Sequence, residues 1–159
     1  MRRRKREARS PVAEAGDELV RGRCLCGAVR FAAAPIGLEM EACHCSMCRR
    51  WAGGVGIYRD VSSLRFDDEA ALGVYRSSEW GERLFCRICG SSLAWRMISG
   101  EFITVAAAAL DGAEALPLTG EIFIDDKPAG YAFANATSKR TGAEIAAVIA
   151  ARQQGRMDG

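Results

Sequence analysis

Long apolar runs are missing from this chain of 159 residues. The longest, Val105 to Leu110 and Ile145 to Ala151, fall far below the ~18 residues that cross a bilayer, so no membrane-spanning helix is expected. An apolar h-region is missing too. Ser10-Pro11-Val12-Ala13-Glu14-Ala15-Gly16-Asp17-Glu18 follows the basic start, which argues against a cleaved secretory signal and for a cytoplasmic protein. Histidine occurs once, at His44, so Ser46 has no evident acid–base partner beyond it and reads as a helix cap rather than a nucleophile. No internal repeat, long linker or second domain is apparent.

Net charge is small, +2, but it is unevenly placed. Residues Met1 to Arg9 carry six bases and one acid, a local +5, and the remainder of the chain sums to −3. Residues 1–17 therefore read as a disordered basic tail, with no apolar period. No aromatic platform lies beside it, so nucleic-acid contact beyond weak tail electrostatics is not expected. The body is different: hydrophobic residues make up 49% of the chain, enough to bury a core.

Between about Leu19 and Asp126 short apolar stretches alternate with Gly, Asp and Ser turns, the pattern of a mainly β, largely antiparallel single domain. Expected strands are 28–32, 37–42, 55–59, 64–66, 73–76, 83–85, 92–97, 102–107 and 121–124. Two helices interrupt the pattern. One starts at Ser46, read as its N-cap, and stops at Gly53-Gly54. The other follows a capping box at Thr141-Gly142-Ala143-Glu144, with Ile145, Val148, Ile149 and Arg152 at helical spacing, and is expected to serve packing. Residues 18–135 are thus the domain, and 136–159 a C-terminal helix and tail.

Cysteine supplies the chemistry. The seven fall into three clusters: Cys24-Leu25-Cys26, Cys43-His44-Cys45-Ser46-Met47-Cys48, and Cys86-Arg87-Ile88-Cys89. C-x-C and C-x-x-C spacings bring thiolates close enough to share one ion, and soft thiolates in a reducing compartment favour Zn²⁺, with an iron–sulfur cluster the main rival. The outer pairs offer four ligands, enough for a closed structural site. The middle cluster offers three, the arrangement that leaves a catalytic zinc one open position. Alternatives remain: His44 completing the middle site, a redox dithiol at Cys86 and Cys89, or simply buried thiols. In an extended Cys43-His44-Cys45 segment, however, His44 points opposite to its neighbours.

The stretches Gly22-Arg23-Cys24-Leu25-Cys26-Gly27-Ala28-Val29, Cys43-His44-Cys45-Ser46-Met47-Cys48-Arg49-Arg50 and Arg83-Leu84-Phe85-Cys86-Arg87-Ile88-Cys89-Gly90-Ser91 resemble the glutathione-dependent formaldehyde-activating enzyme (GFA) family, which also contains centromere protein V. The likeness covers about Gly22 to Ala134. It implies a β-tent-like zinc fold, a structural zinc at Cys24, Cys26, Cys86 and Cys89, and a catalytic zinc at Cys43, Cys45 and Cys48. One departure stands out: the family commonly carries His before an Ile-aromatic strand and a later Lys followed by Trp, where this chain has Glu121 before Ile122-Phe123, then Lys127-Pro128 and Tyr131.

Two zinc ions per chain are therefore expected, with a glutathione-like thiol or thiol adduct as the small-molecule partner. The expected activity is that of a carbon–sulfur lyase, with S-(hydroxymethyl)glutathione, made from glutathione and formaldehyde, as the adduct the resemblance implies. Arg49 and Arg50 are candidates to meet substrate carboxylates, and His44 is a candidate general base. The competing expectation is a non-catalytic zinc module whose basic tail contacts polyanions.

Overall fold

The computed structural model describes residues 18–157, with side chains to Ala151; the basic segment 1–17 and the Arg152 side chain lie outside the described residues. Ten strands pair into one sheet: β1 (Val20–Arg23), β2 (Arg30–Pro35), β3 (Met40–Cys43), β4 (Gly56–Phe66), β5 (Leu72–Arg76), β6 (Gly81–Cys86), β7 (Ser92–Met97), β8 (Ile103–Ala106), β9 (Leu118–Ile122) and β10 (Ser138–Arg140). Helix α1 (Ser46–Ala52) follows β3, and α2 (Gly142–Met157) closes the described chain. The main path runs β10-β9-β3-β4-β8-β7-β6-β5, and the β1–β2 hairpin joins it through β4. Pairing is antiparallel except for β3–β9 and β9–β10. No described helix is long and apolar enough to cross a membrane.

Strand β4 organises the sheet. Two separate strands, 55–59 and 64–66, are expected on either side of Asp60 to Ser63, whereas the chain continues without a break. Its backbone is held on both sides: Asp60 and Val61 pair with Thr104 and Ile103, and Ser63 with Ala34. Ladder hydrogen bonds need only the main chain, so the exposed side chains of Ser62 and Ser63 do not interrupt it. The first half of β4 pairs with β3 and carries Tyr58, while the second half pairs with β2.

Strands β1 and β10 escape the sequence pattern because Val-Arg-Gly-Arg and Ser-Lys-Arg have no apolar alternation; both join by backbone pairing, to which the Ser138 hydroxyl adds a bond to the Thr119 carbonyl. The segment 136–159 thus supplies a sheet edge as well as a helix. Gly22 in β1 leaves room for the Phe31 ring and the Ala109 carbonyl, both of which a Cβ would overlap. The strand expected at 121–124 lies earlier and stops at Ile122, where Phe123 takes a left-handed φ of 55° and turns the chain out of the sheet.

Packing divides into two clusters. The larger holds Val29, Phe31, Leu84, Leu93 and Val105, and includes Cys24 and Cys86. The smaller consists of Cys43, Cys45 and Tyr58 with Cys48, Ala106, Ile122 and Phe123 against them. The two cysteine groups therefore belong to different parts of the interior. Strand β6 serves both: Leu84 and Cys86 face the main core, while the alternate residue Arg83 points to the second cluster.

Candidate metal centres

The first centre forms where two turns meet. Cys24 and Cys26 lie between β1 and β2, Cys86 ends β6, and Cys89 lies in the turn before β7. Their four sulfurs lie within 4.8 Å of one another, with Cys24 to Cys26 at 3.5 Å and Cys26 to Cys86 at 3.8 Å. Tetrahedral Zn–S bonds of ~2.3 Å require S···S edges of about 3.8 Å, so the set fits zinc. Two of the sulfurs are favoured as anions, while the neighbouring thiols help push Cys26 up to about 11. The Val29 N–H donates to Cys24 at 3.3 Å, and despite burial it helps hold that thiol below its ordinary value. The Ser91 hydroxyl, 3.2 Å from Cys89, is the main reason that thiol is pushed down to about 5.

The second centre has three sulfurs. Cys43 ends β3, Cys45 precedes α1 and Cys48 lies in the helix's first turn, again within 4.8 Å of one another. Cys45, not Ser46, is the N-cap: its sulfur accepts the Cys48 N–H at 3.3 Å. Gly53, at φ 73°, closes the helix in the left-handed conformation. Arg83 is almost fully buried and donates from Nη2 to Cys48 Sγ at 3.6 Å, its guanidinium also lying over the Trp51 ring at 5.5 Å. Cys48 is held well below the ordinary thiol range, by its hydrogen bonds with Cys43 and Cys45 first and by Arg83 after them. Three soft donors in one buried corner, with a cation damping their charge, suit a zinc ion bound through Cys43, Cys45 and Cys48.

His44 lies outside both sulfur groups. Its ring is fully buried, with Nε2 2.9 Å from a Glu121 carboxylate oxygen and Nδ1 2.7 Å from the Tyr131 hydroxyl. A carboxylate only accepts, so Nε2 carries the proton, and in the neutral ring Tyr131 donates to Nδ1. Glu121 also accepts from the Thr137 hydroxyl. His44 is tied through its backbone as well, its N–H to the Ile122 carbonyl at 3.0 Å and its own carbonyl to Arg49 Nε at 2.8 Å. Arg49 thereby braces the loop and Arg50 is exposed; both sit in the last turn of α1, where cations complement the helix dipole. Neither lines the cavity at the three cysteines.

That cavity measures about 180 Å³. Cys43, Cys45 and Cys48 line it together with Trp80, Trp95 and Phe102 and with Ile145, Val148 and Ile149 of α2. The C-terminal helix, expected to serve packing, thus also lines the cavity at the second centre. Tyr58 also lines the cavity, its buried hydroxyl lying beside the Cys48 sulfur without a well-formed hydrogen bond. Burial first, then the charge of Cys48, raises its pKa above the ordinary phenol value. Larger hollows of about 520 and 560 Å³ hold none of the cysteines.

Sequence reasoning did not single out Arg83, Tyr58 or the Glu121–Tyr131 clamp. Arg83 carried one usable signal, a charge at the start of the short apolar run Leu84-Phe85 that leads into the Cys86 and Cys89 pair. Tyr58 carried none, because an aromatic residue in a strand is ordinarily core.

Comparison with known proteins adds four findings. The family model described as glutathione-dependent formaldehyde-activating enzyme matches residues 19–126. The chain is 33% identical over 128 residues to an uncharacterized lyase of Schizosaccharomyces pombe, spanning 78% of this chain and 92% of that one. It is 35% identical over 85 residues to a candidate glutathione-dependent formaldehyde-activating enzyme of Halomonas elongata, spanning 47% of this chain and 54% of that one. The crystal structure of a Rhodobacter sphaeroides protein superposes with a TM-score of 0.50 at 29% identity, covering 62% of this chain and 99% of that one.

Proposed function

The chain belongs to the glutathione-dependent formaldehyde-activating enzyme family, and from that premise we propose that it is a carbon–sulfur lyase that forms or cleaves a small thiol–aldehyde adduct. In the forward direction the thiol sulfur bonds to the aldehyde carbon, the carbonyl π pair moves to oxygen, and the proton lost by sulfur ends on that oxygen. Cleavage is the reverse, and neither direction changes oxidation state. S-(hydroxymethyl)glutathione from glutathione and formaldehyde is the adduct that the family description and the Halomonas relative support.

The observation that carries this reading is a three-thiol group lining an apolar cavity while the only histidine turns away to Glu121. Cys43, Cys45 and Cys48 would hold a Zn²⁺, which would favour the thiolate form of a substrate thiol. Cys24, Cys26, Cys86 and Cys89 would hold a second ion that joins two distant turns. Arg83 withdraws charge from Cys48 and so keeps three thiolates from overwhelming a divalent ion. His44, clamped on both ring nitrogens, acts as a positioning residue that sets the Cys43–Cys45 segment against β9. We assign it this role rather than that of general base.

The test is exchange between formaldehyde and glutathione, followed by NMR magnetisation transfer with the zinc-loaded full chain. Exchange above the uncatalysed rate is expected, and Cys45→Ser should return it to that rate. Serine caps a helix as well as cysteine does, so this change removes the thiolate with the helix start preserved. Wild-type exchange in Cys45→Ser would overturn the proposal.

A further inference from the structure

A thiol that reaches Cys43, Cys45 and Cys48 must place its substituent in the cavity beside them. We infer that this cavity selects an apolar, roughly phenyl-sized substituent over glutathione. The inference rests on the three-cysteine group being the reacting site. Three observations carry it: the walls, the charges and the volume.

The walls are aromatic and aliphatic. Trp80 and Trp95 meet edge to face at 5.5 Å, and Trp95 packs on Phe102 at 6.0 Å. Ile145 and Ile149 of α2 line the same space. Such walls take up an apolar ring and give nothing to a carboxylate.

The charges point the same way. Glutathione presents two carboxylates and is net anionic. Among the described residues the cavity has two cations, and both are engaged: Arg83 with Cys48 and Trp51, and Arg140 with Glu41. Glu41 and Asp60 balance those two cations, and three thiolates around one divalent ion leave the lining net negative. Burying a carboxylate there without a partner is costly. Arg49 and Arg50 lie off the cavity and cannot replace a cation inside it.

The volume is small. About 180 Å³ is close to the ~150 Å³ apolar cavity that holds benzene and below the ~300–1,000 Å³ of pockets for drug-sized ligands. One polar group is available inside it, the Tyr58 hydroxyl beside Cys48, which makes no well-formed hydrogen bond and can donate to the single oxygen of a thiol–aldehyde adduct. A neutral adduct with one oxygen and one apolar substituent uses everything the cavity offers.

The experiment titrates benzyl mercaptan and glutathione separately into the zinc-loaded full chain, read by calorimetry and by tryptophan fluorescence, and measures formaldehyde exchange with each. Keeping the full chain includes the basic residues 1–17. Benzyl mercaptan should bind at least about tenfold more tightly, the effect expected from burying one ring. Trp80 is half exposed, so Trp80→Ala should fold and cut that advantage severalfold. Val148→Arg, on the exposed side of α2, should improve glutathione binding by placing a cation at the rim. Equal or tighter glutathione binding overturns the inference, as does a benzyl mercaptan affinity indifferent to Trp80→Ala. If glutathione is preferred and exchanges with formaldehyde, the lyase reading stands and only the selectivity is wrong. If neither thiol exchanges, the lyase reading fails, and the two affinities still decide the selectivity.

Discussion

Replacing Glu121 separates a positioning role for His44 from a ligand or base role. Glu121 is almost fully buried and accepts from two side-chain donors, His44 Nε2–H and the Thr137 hydroxyl. Glu121→Ala strands both donors at about 1–3 kcal/mol each, so a loss of roughly 2–5 kcal/mol follows. At about 2–4 °C per kcal/mol for a chain of this size, melting should fall by roughly 5–20 °C. Glu121→Gln keeps one acceptor in place and should cost about 1 kcal/mol. Acid behaviour supplies an independent readout. Burial tends to raise the Glu121 pKa, yet hydrogen bonds from Thr137 and His44 hold it below the ordinary 4.5. The folded state therefore binds this proton less readily than the unfolded chain. The resulting stability is complete above about pH 4.5 and disappears as pH falls through the folded value. Denaturant unfolding of zinc-loaded protein from pH 3 to 7 measures both effects, and Glu121→Gln should flatten the acid limb. A Glu121→Ala protein as stable as wild type, or a Glu121→Gln protein that loses zinc without losing stability, would refute the clamp.

Three further outcomes follow from the geometry. Cys26→Ser should remove one zinc per chain by elemental analysis and destabilise the main core, because Cys24 and Cys86 belong to that packing cluster, while the three-cysteine site keeps its ion until unfolding. Gly22→Ala should destabilise by about 1–3 kcal/mol in urea, since the added methyl overlaps the Phe31 ring and the Ala109 carbonyl at a point where backbone cannot give. Thr141→Ala removes the hydroxyl that caps α2 through the Glu144 N–H and should cost about 1 kcal/mol, with faster amide exchange in α2 than in the sheet.

The parts of this molecule that were legible in sequence are those with local causes. Cysteine spacing separated two sulfur groups because C-x-C and C-x-x-C turns hold their sulfurs together whatever surrounds them, and the Thr141–Glu144 box marked the start of α2 for the same reason. The identity of the first helix cap was misread because Ser46 and Cys45 are adjacent and both can accept; only the turn of the chain out of β3 decides between them. Strand β4 was read as two because Asp60 to Ser63 carry turn-forming side chains, whereas two neighbouring strands hold their backbone. The His44 clamp was out of reach for a deeper reason. Glu121 was visible as a departure from the family pattern, but its meaning depends on the register that sets Ala42 opposite Glu121 across β3 and β9, a pairing of residues far apart in the chain. The cavity was equally hidden, since nothing in the helical period of Ile145, Val148 and Ile149 says which surface they cover.

The account rests most on one centre closed by four sulfurs and another open beside an apolar cavity. X-ray absorption at the zinc edge, with the metal content counted, tests this most directly before and after benzyl mercaptan is added. The account predicts two zinc ions per chain, one surrounded by four sulfurs and indifferent to the thiol, the other gaining a fourth sulfur from it. A single zinc per chain, or two whose surroundings do not change when the thiol is added, would contradict it.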